Sequence, residues 1–345
     1  MPASTPQPAD PRAGVTGVTP PGAPRPPGPV IDQAVGGLVV SLLTDYGLGD
    51  GFVGALHGVI ARRAPGARVI DITHGIAPQD VRAGALALQR AVAYVAPGVV
   101  VAVVDPGVGT ARRAVGALAH NGLAFVGPDN GLLLPAIEAC GGPAVVVELA
   151  DRGYWLSTAG PTFAGRDVFA PAAAELALGR DLLSLGDQVG PGTLVRLPLP
   201  VNRLRQDGAL EAEVTWVDRY GNIQLAAQPQ DWPPSRYAAS GEVRARLVAS
   251  PASEPPSRGG AVGATNATRA QAFGDLRPDE LGLIVDSYGH LALVLAGASA
   301  AGQLGAAEGD LFVLEAGPAG TVAPAGSPAS PPPGAPRPGG RIARP

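Results

Sequence analysis

The stretch Val99-Val100-Val101-Ala102-Val103-Val104-Asp105-Pro106-Gly107-Val108-Gly109-Thr110-Ala111-Arg112-Arg113 decides the reading of this chain. A continuous β-branched run closed by turn residues predicts a buried strand of a parallel sheet. Open α/β sheets bind ligands beyond the carboxyl ends of their strands, which is where Asp105 stands. Its carboxylate calls for a partner. Arg112, across a Pro-Gly and Gly-Thr turn, can fold back to supply one. Two readings stay open here: an Asp105–Arg112 pair at the mouth of a pocket, or a strand-end turn with a surface carboxylate.

Working outward, Leu38 to Thr44 (LVVSLLT) is a second buried-strand pattern, and it too ends in an acid, Asp45, followed by Tyr46-Gly47-Leu48-Gly49-Asp50. Phe52 to Arg63 has helical spacing, Arg68 to Ile72 reads as a strand ending in Thr73-His74, and Val81 to Val95 as an Ala/Leu-rich helix. The alternation continues with a strand at Leu123 to Val126, a helix opened by Pro128-Asp129-Asn130-Gly131, a strand at Ala144 to Leu149 and a helix from about Val168 to Leu178. This predicts a mainly parallel α/β sandwich domain over 38–190. Beyond Pro191 the pattern changes to short alternating strands at Leu210 to Val217, Gly221 to Ala226, Glu242 to Val248, Leu281 to Val285 and Leu291 to Leu295. A C-terminal all-β, barrel-like domain is expected over 191–315. Residues 1–37 and 316–345 are Pro/Gly-rich with few large apolar side chains, and disordered tails are expected there, with a flexible loop after Ser250.

Composition narrows the function. All 25 Lys+Arg positions are Arg, which excludes a P-loop lysine, a Schiff-base lysine and a Ser-Lys pair. A net charge of −4 without a basic cluster argues against nucleic acid as a partner. The single Cys, Cys140, excludes an internal disulfide and a cysteine-rich metal site. No apolar run reaches the ~18 residues that span a bilayer, and no basic region precedes an apolar core at the N-terminus, so a cytoplasmic protein without membrane contact is expected. The histidines His57, His74, His120 and His290 show no metal-ligand spacing, and no metal is expected. His74 reads either as an orienting hydrogen bond in a turn or as a group with a chemical role. The two Gly-x-Gly turns fail the dinucleotide fingerprint, since Phe52 and Arg112 stand where a third Gly belongs, and no Gly-x-Ser-x-Gly elbow is present. What remains is acidic. Asp45, Asp50 and Asp105 near one edge suit a ribose diol and a cationic ligand, which points to a nucleoside carrying a positive charge.

Six motifs then occur in order: Thr44-Asp45-Tyr46-Gly47, Asp71-Ile72-Thr73-His74, Asp105-Pro106-Gly107-Val108-Gly109-Thr110 with Arg112, Gly127-Pro128-Asp129-Asn130-Gly131, Thr162-Phe163-Ala164-Gly165-Arg166-Asp167 and Asp218-Arg219-Tyr220-Gly221-Asn222. From about Leu38 to Leu314 the chain resembles the S-adenosyl-L-methionine (SAM) hydroxide adenosyltransferase family, adenosine-forming SAM hydrolases related to fluorinase and chlorinase. The resemblance implies an α/β domain followed by a barrel-like domain, assembled as homotrimers with SAM bound between neighbouring subunits. SAM is then the substrate, and no cofactor is implied. By motif, Asp45 would hold the ribose hydroxyls and Asp50 would lie near the methionine amino group. Tyr220 and Asn222 would contact the adenine, with Phe273 packed on it, and Ser287, in Asp286-Ser287-Tyr288-Gly289, would approach the methionine carboxylate. Asp286 stands where Asn is usual. Asp105 and Arg112 match two of three groups placed around the attacking water. The third, a His, is Ala164 here. The implied reaction is hydrolysis at C5′ to adenosine and L-methionine. Two alternatives are a SAM- or adenosine-binding protein with weak or no catalysis, suggested by Ala164, and a halide-using SAM enzyme. The halogenating relatives lack the Asp and Arg that this chain keeps.

Overall fold

The structure, a computed structural model, describes residues 39–157, 160–233, 241–248 and 264–317. Residues 1–37, most of 316–345 and the loop expected after Ser250 lie outside the described residues. The N-terminal region contains β1 (Val39–Thr44), α1 (Phe52–Arg63), β2 (Arg68–Thr73), α2 (Val81–Ala91), β3 (Gly98–Val103), β4 (Ala114–Ala119), β5 (Ala124–Pro128), α3 (Leu134–Ala139), β6 (Pro143–Glu148), α4 (Ala170–Ala177) and β7 (Asp187–Val189). The strands form one sheet in the order β2-β1-β3-β5-β4-β6-β7. Pairing is parallel from β2 through β5, and β4, β6 and β7 enter antiparallel.

The valine run forms β3 because both of its faces are covered. Val100, Ala102 and Val104 pack into one core with residues of α2 and α3, and Val99, Val101 and Val103 into a second with residues of α1 and α4. Each fully buried Val or Leu side chain contributes about 1.5–3 kcal/mol, so this strand anchors both layers. The two sheet neighbours approach closely: a Cβ at Gly98, whose φ is 150°, would stand 2.0 Å from the Val39 carbonyl oxygen. β4, Ala-Val-Gly-Ala-Leu-Ala, was not foreseen, since it lacks the β-branched run that marks β1 and β3. The helix expected from Val168 begins instead as a π-helical turn at Gly165–Phe169 that leads into α4.

The second region contains β8 (Asn202–Leu204), β9 (Leu210–Val217), β10 (Ile223–Leu225), β11 (Glu242–Val248), β12 (Thr265–Arg269), β13 (Leu281–Val285), β14 (Leu291–Leu295), α5 (Ala300–Leu304) and β15 (Leu311–Ala316). The order β10-β14-β13-β12-β11-β15-β9 closes through β9–β10 into a barrel, with β8 added outside β9. Its core includes Trp232, Phe312, Leu283 and Leu293. α2 lies against this barrel. Arg82 donates to Glu213 at 2.5 Å and Arg90 to Gln224 at 3.3 Å. Arg90 also stacks 4.4 Å over Trp216, and Tyr94 meets Tyr288 edge-on at 6.4 Å. No helix among the described residues is long and apolar enough to cross a membrane.

Candidate active site

β1 and β3 are adjacent and in register, Thr44 opposite Val103, so their carboxyl ends deliver Asp45 and Asp105 side by side. The Asp45 amide reaches the Val103 carbonyl at 3.4 Å. The next carbonyl, that of Val104, accepts from Asn130 Nδ2 at 2.8 Å. The Gly-Pro-Asp-Asn-Gly motif therefore fixes the strand end from below. Its Asp129 accepts from Arg113 Nε at 3.0 Å and from the Val195 amide at 2.9 Å, tying the turn to the connection between the two regions.

Of the two readings of Asp105, the structure supports the pair. Arg112 Nε donates to both Asp105 oxygens, at 2.9 and 3.0 Å, and Nη2 also bonds Oδ2. The side chains are 15% and 6% exposed. A fork-to-carboxylate pair so enclosed is oriented as well as neutralised. The intervening turn is closed by Thr110 Oγ1 donating to the Gly107 carbonyl at 2.7 Å. Below the guanidinium lies the Phe169 ring, 5.4 Å from Arg112 Cζ.

Segment 161–169 approaches this turn, the Pro161 carbonyl oxygen standing 3.6 Å from a Cβ placed at Gly109, and Ala164 sits within it, half-buried at the start of the π-helical turn. The adjacent Gly165 has no room for a side chain: a Cβ there would meet the Tyr46 hydroxyl at 2.4 Å. Tyr46, Phe52 and Phe163 form an edge-on aromatic wall with centroids 5.1–5.7 Å apart. Burial, then the charges of Asp45 and Asp105, pushes the Tyr46 hydroxyl far above its usual pKa. It stays protonated across the physiological range. The sequence reading had Tyr46 only as a motif letter. Burial and ring contacts across more than a hundred residues show its place.

Asp45 Oδ2 accepts the Gln79 amide at 2.8 Å, just ahead of α2, with Gln79 at φ 67°. Asp50 is exposed in the loop before α1. The other predicted contacts are in the barrel. Asp218 and Asp286 build the same turn twice. Each Oδ1 accepts two amides, from Tyr220 and Asn222 at 2.8 and 2.9 Å, and from Tyr288 and His290 at 2.8 and 2.9 Å. Asp218 Oδ2 takes Asn222 Nδ2 at 2.7 Å, and Asp286 Oδ2 takes Gln224 Nε2 at 2.5 Å. Asp286 thus shapes the turn that presents Ser287, which is exposed. Tyr220 is 79% and Phe273 52% exposed.

No hydrogen bond, ion pair or ring contact among the described residues joins Asp45, Asp50, Asp105, Arg112 or Ala164 to Tyr220, Asn222, Phe273 or Ser287. α2 explains why. Asp45 touches its N-terminal approach, while Arg90 and Tyr94 at its other end meet Gln224 and Tyr288. At ~1.5 Å per residue, about 20 Å lies between those ends. Among the described residues no contact bridges the two sets within one chain.

Two family models match. Residues 40–186 match the SAM hydroxide adenosyltransferase N-terminal domain and residues 212–313 the C-terminal domain of the same name. The chain is 48% identical over 278 residues to a Salinispora tropica protein named (R)-S-adenosyl-L-methionine hydrolase, covering 81% of this chain and 98% of that one. It is 27% identical over 214 residues to an Actinoplanes sp. protein named fluorinase, covering 55% of this chain and 72% of that one. Its fold is similar to the crystal structure of an uncharacterized conserved protein from Thermotoga maritima, with TM-score 0.71 and 32% identity, covering 80% of this chain and 99% of that one.

Proposed function

The chain belongs to the SAM hydroxide adenosyltransferase family, and we propose from that premise that it hydrolyses SAM at C5′ to adenosine and L-methionine. The observation that carries the reading is the enclosed Asp105–Arg112 pair at the carboxyl end of β3. SAM presents a sulfonium. When the C5′–S bond breaks, its electrons return to sulfur and methionine leaves neutral, so no general acid is required. The site must instead hold a water about 3 Å from C5′, in line with the breaking bond, and shield it from bulk.

A guanidinium is not a base at neutral pH, so Arg112 serves to hold the water through its N–H groups. Asp105 fixes that guanidinium and is the nearest carboxylate to take the proton the water releases as the C5′–O bond forms. The imidazole that the family motif implies at position 164 is replaced by Ala164, and the Tyr46 hydroxyl, against Gly165, is the protonated donor beside it. The acids Asp45 and Asp50 face the same edge, Asp45 for the ribose diol and Asp50 for the methionine amino group.

The adenine and methionine carboxylate contacts, Tyr220, Asn222, Phe273 and Ser287, come in this proposal from the barrel of a second copy, and a homotrimer closes three such sites. The lack of any described contact between the two sets within one chain and the uncovered Tyr220 and Phe273 rings support that arrangement.

The test is incubation of the full-length protein with SAM and chloride in ¹⁸O-water. Adenosine carrying ¹⁸O at its 5′ oxygen supports hydrolysis. A 5′-chloro-5′-deoxyadenosine product, or binding of SAM without turnover, overturns it.

A further inference from the structure

His57 of α1 and Asp71 and His74 at the end of β2 converge at the outer edge of the sheet, although 14 residues separate the first two. His57 Nε2 lies 2.8 Å and His74 Nε2 3.1 Å from the same Asp71 Oδ1. One ligand atom of each residue lies within 4.8 Å of the others. The His74 side chain is 4% exposed. Its Nδ1 is engaged with Thr44 Oγ1 at 2.8 Å. Its Nε2 is buried, points into the cluster and makes no aligned hydrogen bond among the described residues.

We propose that His57, Asp71 and His74 bind a divalent transition-metal ion of the zinc class. Two imidazoles and a carboxylate are a familiar donor set for zinc, softer than the all-oxygen shells of Mg²⁺ and Ca²⁺. The His74 ring is oriented as metal-bound imidazoles are: Nδ1 is held by the Thr44 hydroxyl, and in the tautomer with the proton on Nδ1 the Nε2 lone pair faces the ion. Zinc bonds of about 2.0–2.2 Å place tetrahedral donors about 3.3 Å apart, so the cluster opens by a few tenths of an ångström on binding. His57 and Asp71, at 38% and 40% exposure, have the freedom to make that adjustment, and their exposure leaves a position for water. In the metal-free cluster His57 Nε2 and His74 Nε2 both face the single Asp71 Oδ1, so one carboxylate oxygen serves two imidazoles where an ion would engage all three side chains.

The ion cross-links α1 to the edge strand. It also reaches the active site indirectly, because Thr44 Oγ1 accepts the Tyr46 amide at 3.1 Å and so connects His74 to the loop that carries Asp45. These three residues are positioning residues, not catalytic ones, and the site stands whatever reaction the protein performs.

The test is calorimetric titration of the EDTA-stripped full-length protein with zinc sulfate, together with native mass spectrometry. The expected result is one zinc per chain, bound in about the micromolar range or tighter and unaffected by millimolar Mg²⁺, with a rise in Tm. His57→Ala and Asp71→Asn each change one outer ligand at a partly exposed position and leave the buried His74 ring and the core in place, so both fold, and each weakens zinc binding by about tenfold or more. Absence of stoichiometric zinc binding, or equal binding by the parent and a His57→Ala/Asp71→Asn double variant, overturns the proposal.

Discussion

Arg112 and Tyr220 belong to the two halves of the proposed site and stand in opposite surroundings. Arg112 is 15% exposed, clasped by Asp105 and stacked over Phe169, whereas Tyr220 is 79% exposed on a turn of the barrel. A buried charge must meet its counter-charge within the chain that buries it, because either group alone would be left uncompensated. An aromatic face can wait in water until a partner covers it. The sheet half is therefore built to completion by one chain, and the barrel half is a surface shaped by the Asp218 and Asp286 turns. The difference fits the proposed division, with chemistry in the first half and recognition in the second.

The largest effect that would sharpen this division comes from Arg112→Ala. Removing one positioned group at a reacting centre lowers kcat by ~10²–10³-fold. Tm should fall as well, since Asp105 is left buried and unpaired; an unchanged kcat beside a lowered Tm would make the pair an element of the fold alone. Tyr220→Ala and Phe273→Ala should do the reverse. Stacking on a base contributes ~1–3 kcal/mol, so KM rises by roughly 10–100-fold while kcat and Tm hold. A fall in Tm without a change in KM would break the comparison. A smaller gain is expected from Ala164→His, which restores an imidazole beside the water and raises kcat up to ~10-fold. Steady-state kinetics decide it, and an unchanged rate would remove position 164 from the site.

The smallest effect is spectroscopic. Burial pushes the Tyr154 hydroxyl up to about 12 and Tyr46 beyond that, with Asp45 and Asp105 adding to the latter. An acid whose folded pKa is raised stabilises the fold fully below its unfolded value, near 10, and that contribution is lost as pH climbs through the folded value. Ultraviolet titration should find fewer than the six tyrosines of the chain ionised until alkaline unfolding sets in. A full early titration would place Tyr46 in water.

Much of the sheet half was legible in the sequence because its signals are local. The valine run marks β3 with no knowledge of the rest, and the strand-end acid with an Arg seven residues on offers the Asp105–Arg112 pair as one of two readings. β4 escaped because Ala and Gly carry little strand signal, and its place between β5 and β6 is set by neighbours. The wall formed by Tyr46, Phe52 and Phe163, and the cluster of His57, Asp71 and His74, escaped for the same reason: their members come from different elements. The proposed barrel contacts are named by their motifs alone, and the chain order does not reveal that α2 lies against the barrel through Arg82 and Arg90.

In the proposed assembly each site joins the sheet half of one copy to the barrel half of another. It is tested most directly by mixing two impaired variants, Arg112→Ala and Tyr220→Ala/Phe273→Ala, unfolding and refolding them together, and assaying SAM hydrolysis at low substrate. Random assembly through a heterologous interface leaves roughly a quarter of the sites with both halves intact, so activity should return to about that share of wild type. A mixture no more active than its parents would show that a single chain holds the whole site.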